Sequence, residues 1–392
     1  MNRKDFIKAL SLLGLSAPAS GFSLFQGAES GGGNFRGDVL IIGAGAAGIA
    51  AAYLLEQQGI EYQVIEAAAS YGGRFRTNTT FTDFPISLGA EWLHVPEKEL
   101  GKIVRDKRVP IETRLKAYDS SDTYGYYEDE ELTVDELGWG VHAFSDKKFI
   151  GSSWFDFFDE YLVPSIKKNM RFDTPIAAID YSGDKVVATD VKGEIYSADK
   201  LIFTAPLKLL QLNQFDFTPP LPVNKQKAIA SANIWSGIKV FIKFSEQFYP
   251  TFLEFPDSDT WEGQRLFYDA AYGQSSADNI MGVFAVGKPA ETYIAELDQD
   301  LQAYLLNELD EIFDGKASRH FQEMLVQNWN DEPYARAAYL GDRESTKISK
   351  TMSRSINDKI YFAGASYTRD DDWGSVHNAA RSARDVVLEI SR

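Results

Sequence analysis

Three short stretches hold residue types spaced for cofactor chemistry. Gly43-Ala44-Gly45-Ala46-Ala47-Gly48 is a run of small residues in which glycine recurs as in a phosphate-cradling turn. Gly43 permits the tight turn, and Gly45 admits backbone close to a pyrophosphate. Gly48, after Ala47, lets the following helix pack closely on its strand. Glu66, followed by Ala67, stands where a carboxylate can accept hydrogen bonds from an adenosine ribose. Gly72-Gly73-Arg74 then brings backbone at Gly73 and a cation at Arg74 toward the same groove, where an arginine can pair with phosphate.

These residues need elements to hold them, and the flanking sequence supplies them. Asp38-Val39-Leu40-Ile41-Ile42 is the short apolar, β-branched run of a buried parallel strand. Residues 49–58 read as an Ala/Leu-rich helix closed by Gly59, and 62–65 as a second strand ending at Glu66. This is a complete βαβ unit, and its helix N-terminus offers N–H donors and partial positive charge to a dinucleotide. The fold class it predicts is α/β, a doubly wound Rossmann-type domain.

Composition bounds the rest. At ~100–200 residues per domain, a 392-residue chain has room for two or three domains. The formal charge of −17 makes a surface that repels nucleic acid. With no cysteine, disulfides, thiolate metal sites and a cysteinyl cofactor link are excluded. The four histidines, at 94, 142, 320 and 377, are too scattered to mark a local metal site, so no metal is expected. No run of ~18 apolar residues occurs after residue 30, so no membrane span is expected in the body of the chain. Residues 1–30 have a basic start at Arg3, Lys4 and Lys8, an apolar stretch and Ala-Pro-Ala-Ser, the layout of an export signal. Asn2 to Lys8 resembles a twin-arginine signal with Lys4 at the second arginine, so a periplasmic location is expected.

The stretch from Gly43 through Arg74 resembles the flavin-containing amine oxidase family, which includes the monoamine and polyamine oxidases. Gly89-Ala90-Glu91-Trp92 is similar to the family segment that passes beside the flavin, with His94 where some relatives place an amine-facing residue. Thr174-Pro175-Ile176 resembles the strand whose backbone holds adenine. Residues 359–364, ending at Gly364, resemble the last apolar strand of the family. Ala365 stands where relatives usually have an acid for the ribityl chain. Ser375 and Val376 lead into a helix that, by the resemblance, points its N-terminus at the flavin pyrimidine. The resemblance implies non-covalent FAD, because Ala338 occupies the position of the flavin-linking cysteine.

Substrate-side roles also follow from the resemblance. Lys239 lies in the alternating strand 237–244, where the family holds a water beside flavin N5. Tyr339 is one wall of an aromatic cage, and the opposite wall falls at Ser375, or at Trp373 if the register slips. The activity implied is oxidation of an amine C–N bond, with O2 or another acceptor taking the electrons. Two readings stay open beside it: a C–C desaturase on the same scaffold, and a near-inactive flavin-binding accessory protein. The FAD domain is expected over 36–95, 166–212 and 332–392, and a smaller α+β substrate domain over 96–165 and 213–331. Residues 119–136, rich in acids and without a basic residue, read as a solvated loop. Residues 291–313 read as one amphipathic helix.

Overall fold

Side chains of the strand Asp38–Ile42 alternate between two cores. Val39 and Ile41 pack with one apolar cluster, and Leu40 and Ile42 with another. A strand covered on both faces belongs at the centre of a layered α/β sheet. In the computed structural model, which describes residues 35–143, 146–341, 345–369 and 374–392, it does. A five-stranded parallel sheet runs Met170–Arg171, Glu61–Ile65, Asp38–Ile42, Lys200–Phe203, Ile360–Phe362. The chain order reverses direction at Asp38–Ile42, the switch point where such sheets open a crevice beyond their strand ends.

The helix Ala46–Gln58 is apolar nearly all round and accordingly buried between neighbours. It ends at Gly59, whose left-handed φ of 67° closes the last turn. The amphipathic helix Val376–Ile390 packs against it with Ala379, Ala380, Ala383 and Val387 inward. The helices Trp154–Tyr161 and Val163–Ile166 join the same core through Phe157, Phe158, Val163 and Ile166. On the other face, strand Asp216–Thr218 and helix Val223–Ser231 pack beside the antiparallel strands Ile176–Asp180, Val186–Asp190 and Ile195–Ala198. The nucleotide-binding half therefore takes in elements on both sides of the boundaries expected near 165 and 212.

The second half is built on an eight-stranded sheet, with Gly237–Phe244 between Phe321–Asn328 and Asn279–Gly287. Ile238, Val240, Ile242 and Phe244 face the helices Lys288–Ala295 and Leu301–Ile312. Strand alternation turns Lys239 and Phe241 the opposite way. Two readings need correction here. The span 291–313 is two helices rather than one, because Asp300 caps the second by accepting from the Ala303 amide at 2.9 Å. The acidic stretch is a hairpin, Thr123–Glu128 with Glu131–Glu136, rather than a loop. Its outer strand is exposed at the edge of the sheet, where charge discourages pairing with another chain. Among the described residues, no helix is long and apolar enough to cross a membrane.

Candidate active site

The glycine turn is held by sterics and by Thr204. Gly43 has φ +103°, and a Cβ there would stand 2.6 Å from Thr204 Oγ1. That hydroxyl donates to the Ile42 carbonyl at 2.7 Å and to the Gly43 carbonyl at 3.2 Å. At Gly48 a Cβ would lie 1.9 Å from the Gly43 carbonyl oxygen, so helix and turn close only on glycine. Gly45 is the opposite case: an added Cβ meets nothing within 4 Å and enters the open groove. The helix that starts here has no side-chain cap and no acid in its first turn, so its N–H groups stay available for phosphate. Glu66 accepts from the Ala44 amide at 2.6 Å and the Ala68 amide at 2.8 Å, which fixes its carboxylate beside the turn. Burial raises its pKa, against those amides. Gly73 has φ +54° and packs over Gly45, while Arg74 donates to the Ala338 carbonyl and so ties this segment to the far wall.

Gly43, Gly45, Ala47, Glu66, Ala67, Gly73, Arg74, Gly89, Ala90, Glu91, Trp92, Ile176, Gly364, Ala365, Ser375 and Val376 all line one continuous cavity of about 3110 Å³. His94, Lys239 and Tyr339 line it too, whereas Gly48 lies behind the wall. Ordinary small-molecule sites are ~300–1,000 Å³, so this space suits an extended dinucleotide with room beside it.

Four polar side chains meet where the two halves join. Glu91 Oε1 accepts from Lys148 Nζ at 2.6 Å, and Glu91 Oε2 from Lys239 Nζ at 2.6 Å and Tyr268 Oη at 2.5 Å. All four are buried, with Trp92 and Phe241 rings beside Lys239. Burial alone would raise the Glu91 pKa, but the two ammonium groups outweigh it and hold it at about 2. Burial pushes Lys239 below the usual ammonium range, with Glu91 opposing and Lys148 assisting. Lys239 is thus no solvent-facing lysine. Glu91, read from sequence as a cofactor contact, has both oxygens committed to the cluster, because its carboxylate neutralises buried cations.

The aromatic wall also differs from the sequence reading. Strand Ile234–Trp235 pairs with Tyr339–Leu340 and puts the Trp235 ring 6.1 Å from that of Tyr339. Both line the cavity together with Phe284 and Gln264. Ser375 caps the helix Val376–Ile390 by accepting from the Asn378 amide at 3.4 Å, and supplies no aromatic wall. Trp373, and residues 1–30 where an export signal is expected, lie outside the described residues. His94 Nδ1 lies 3.2 Å from Asp146 Oδ1, a carboxylate that orients the ring. Sequence reasoning missed Lys148 and Trp235. Their signal was strand pairing, Lys148 opposite Trp92 and Trp235 opposite Tyr339, which needs a register no local pattern provides.

Residues 156–391 match the family model for flavin containing amine oxidoreductases, and 41–106 match an NAD(P)-binding Rossmann-like domain. The chain belongs to the flavin containing amine oxidoreductase family. Lysine-specific histone demethylase 1B of Mus musculus is 24% identical over 84% of this chain and 50% of its own length. The chain thus spans about half the length of that relative. Polyamine oxidase 3 of Oryza sativa subsp. japonica is 24% identical, with 90% of each chain covered. A solved putrescine oxidase with bound putrescine superposes with a TM-score of 0.72, at 16% identity over 91% of this chain and 99% of its own. Family membership makes FAD the cofactor of the groove. The open space at Gly45, the uncapped helix start and the placement of Glu66 fit its pyrophosphate and ribose. With no cysteine in the chain, no thioether link forms and FAD is held non-covalently.

Proposed function

We propose that the protein oxidises the C–N bond of an amine. The observation that carries this reading is the single cavity that joins the glycine cradle to buried Lys239 and to the Trp235 and Tyr339 rings. The similarity to a rice polyamine oxidase, and a fold shared with a putrescine-bound oxidase, support an amine as substrate. When bound, FAD would supply a two-electron acceptor for a hydride-equivalent from the amine α-carbon, with O2 as the final acceptor and peroxide the product. The residues of the chain bind, orient and dry the reactants. Gly43, Gly45, Glu66 and the helix start hold the dinucleotide. Trp235, Tyr339 and Phe284 exclude water, and that desolvation favours the neutral amine from which a hydride can leave. His94, steadied by Asp146, faces the same space as a polar contact for the substrate. Lys239 holds a water through its ammonium, which the Glu91 and Ser87 contacts keep at the cavity wall. The imine hydrolyses in bulk water. The basic, apolar N-terminal segment supports export to the periplasm, and fractionation of the expressing cell tests that location.

The test is an anaerobic screen of the FAD-loaded protein against mono-, di- and polyamines, amino acids and apolar polyenes. Bleaching of the flavin by amines is expected. Bleaching by polyenes alone would establish the desaturase reading, and a yellow protein that no donor bleaches would leave only an accessory role. Lys239→Met should slow flavin reduction or reoxidation by on the order of a hundredfold, ~3 kcal/mol, while FAD stays bound. An unchanged rate removes Lys239 from the mechanism.

A further inference from the structure

Lys148 is buried behind Glu91 and does not line the cavity, yet it takes one of the two carboxylate oxygens. One lysine on one glutamate would leave a neutral pair. A second ammonium gives Glu91, Lys148 and Lys239 together a net positive charge, with Asp269 the further carboxylate acting on Lys148, so the two lysines draw on Glu91 unequally supported. The way it is built narrows what that is. Lys148 stands opposite Trp92 in the pairing of Trp92–Leu93 with Lys147–Phe149, and its Nζ also donates to the Ala270 carbonyl at 2.7 Å. It is therefore fixed from two elements, while its neighbour Lys147 points outward to Glu97. Glu91 in turn fixes Lys239, whose other polar contacts are the Ser87 carbonyl at 3.3 Å and, through the shared oxygen, the Tyr268 hydroxyl.

We propose that Lys148 is a positioning and charge-balancing residue for Lys239: by claiming one oxygen of Glu91 it locks the carboxylate and leaves Lys239 only part of its negative charge. Lys239 is then held in place at the cavity wall but gives up its proton to cavity water more readily than a simple Lys–Glu pair allows. The groups facing Lys239 are Glu91 from the loop before Trp92–Leu93, Lys148 from Lys147–Phe149, and Tyr268 from Gly263–Asp269. Tyr268 is buried against Glu91 and stays protonated, with its pKa driven well above the ordinary phenol value. Asp269 lies beyond, on the Lys148 side, and pulls on Lys148 rather than on Lys239. The two lysines thus compete for one carboxylate, and removal of Lys148 returns the whole of it to Lys239.

This inference rests on the role given to Lys239 above, but its test does not require turnover. In FAD-loaded protein carrying [ε-13C]lysine, the Lys239 resonance is assigned by its loss in Lys239→Arg and titrated with pH. Lys148→Met should raise the Lys239 midpoint by about one pH unit or more, a tenfold change in proton affinity. Lys148→Arg should restore it, because the positive charge returns. The basic limb of the rate of flavin bleaching by amine should move with the midpoint, with KM little changed. An unchanged midpoint in Lys148→Met overturns the proposal, as does an equal shift in Lys148→Met and Lys148→Arg. If Lys148→Met does not fold, Lys148→Gln keeps a donor toward Glu91 and Ala270 and gives the same reading. Should no amine bleach the flavin, the functional reading fails, while the midpoints still decide the claim about Lys148.

Discussion

Replacing Glu91 by glutamine removes one negative charge from the cluster that joins the two halves of the molecule. The carboxylate accepts from Lys148, Lys239 and Tyr268, and all four groups are buried. An amide has a single acceptor oxygen, so at least one ammonium loses its carboxylate partner among buried aromatic rings. Breaking a buried ion pair from one side costs ~3–5 kcal/mol. Proton linkage through the same contacts gives a similar size. A Glu91 pKa lowered from 4.5 to about 2 corresponds to about 3 kcal/mol. The sign follows from the direction of that shift. A carboxyl with a depressed folded pKa stabilises above its unfolded value, and that stability is lost as pH falls through the folded one. Guanidinium unfolding of wild type and Glu91→Gln should differ by about 3 kcal/mol at neutral pH, and the gap should narrow as pH is lowered from about 5 toward 2. A gap below ~1 kcal/mol at neutral pH, or one that does not change in acid, would refute the claim that the carboxylate is ionised between two lysines.

The glycine turn gives a contrast. Gly45→Val should leave the stability of the protein within ~1 kcal/mol while FAD affinity falls by a hundredfold or more, because its side chain enters only the groove. Gly48→Ala should instead lower stability by ~3 kcal/mol or more, since its Cβ meets the Gly43 carbonyl, and thermal melts with a flavin absorbance reading separate the two effects. Trp235→Leu and Tyr339→Leu should each raise the KM for a bleaching amine about tenfold, ~1.4 kcal/mol, with FAD content unchanged. A KM that moves only for Tyr339 assigns Trp235 to packing.

The βαβ unit was legible because its interactions are local. Gly43, Gly48, the helix and Glu66 lie close in sequence, and each residue type answers a steric or electrostatic demand made within that stretch. The same holds for the strand Gly237–Phe244, whose alternation already separated Lys239 from the core-facing residues. The acidic hairpin and the break at Asp300 were less legible. One depends on a parallel pairing with Phe252–Glu254, the other on a cap that apolar spacing does not register. What no local pattern could supply was the company that each site residue keeps. Glu91, Lys148, Lys239 and Tyr268 come from four separate elements, and a two-residue pairing decides that Lys148 points inward while Lys147 faces solvent.

The amino-acid order by itself determined a Rossmann-type cradle for a dinucleotide, since short-range sterics and helix polarity act whatever the rest of the chain does. The burial of Lys239, the commitment of the Glu91 carboxylate to two cations, and the Trp235 wall were decided only when distant strands came into register. The reason is physical: a charge is tolerated in the interior only if a counter-charge is delivered to it, and that delivery is a property of the assembled sheets.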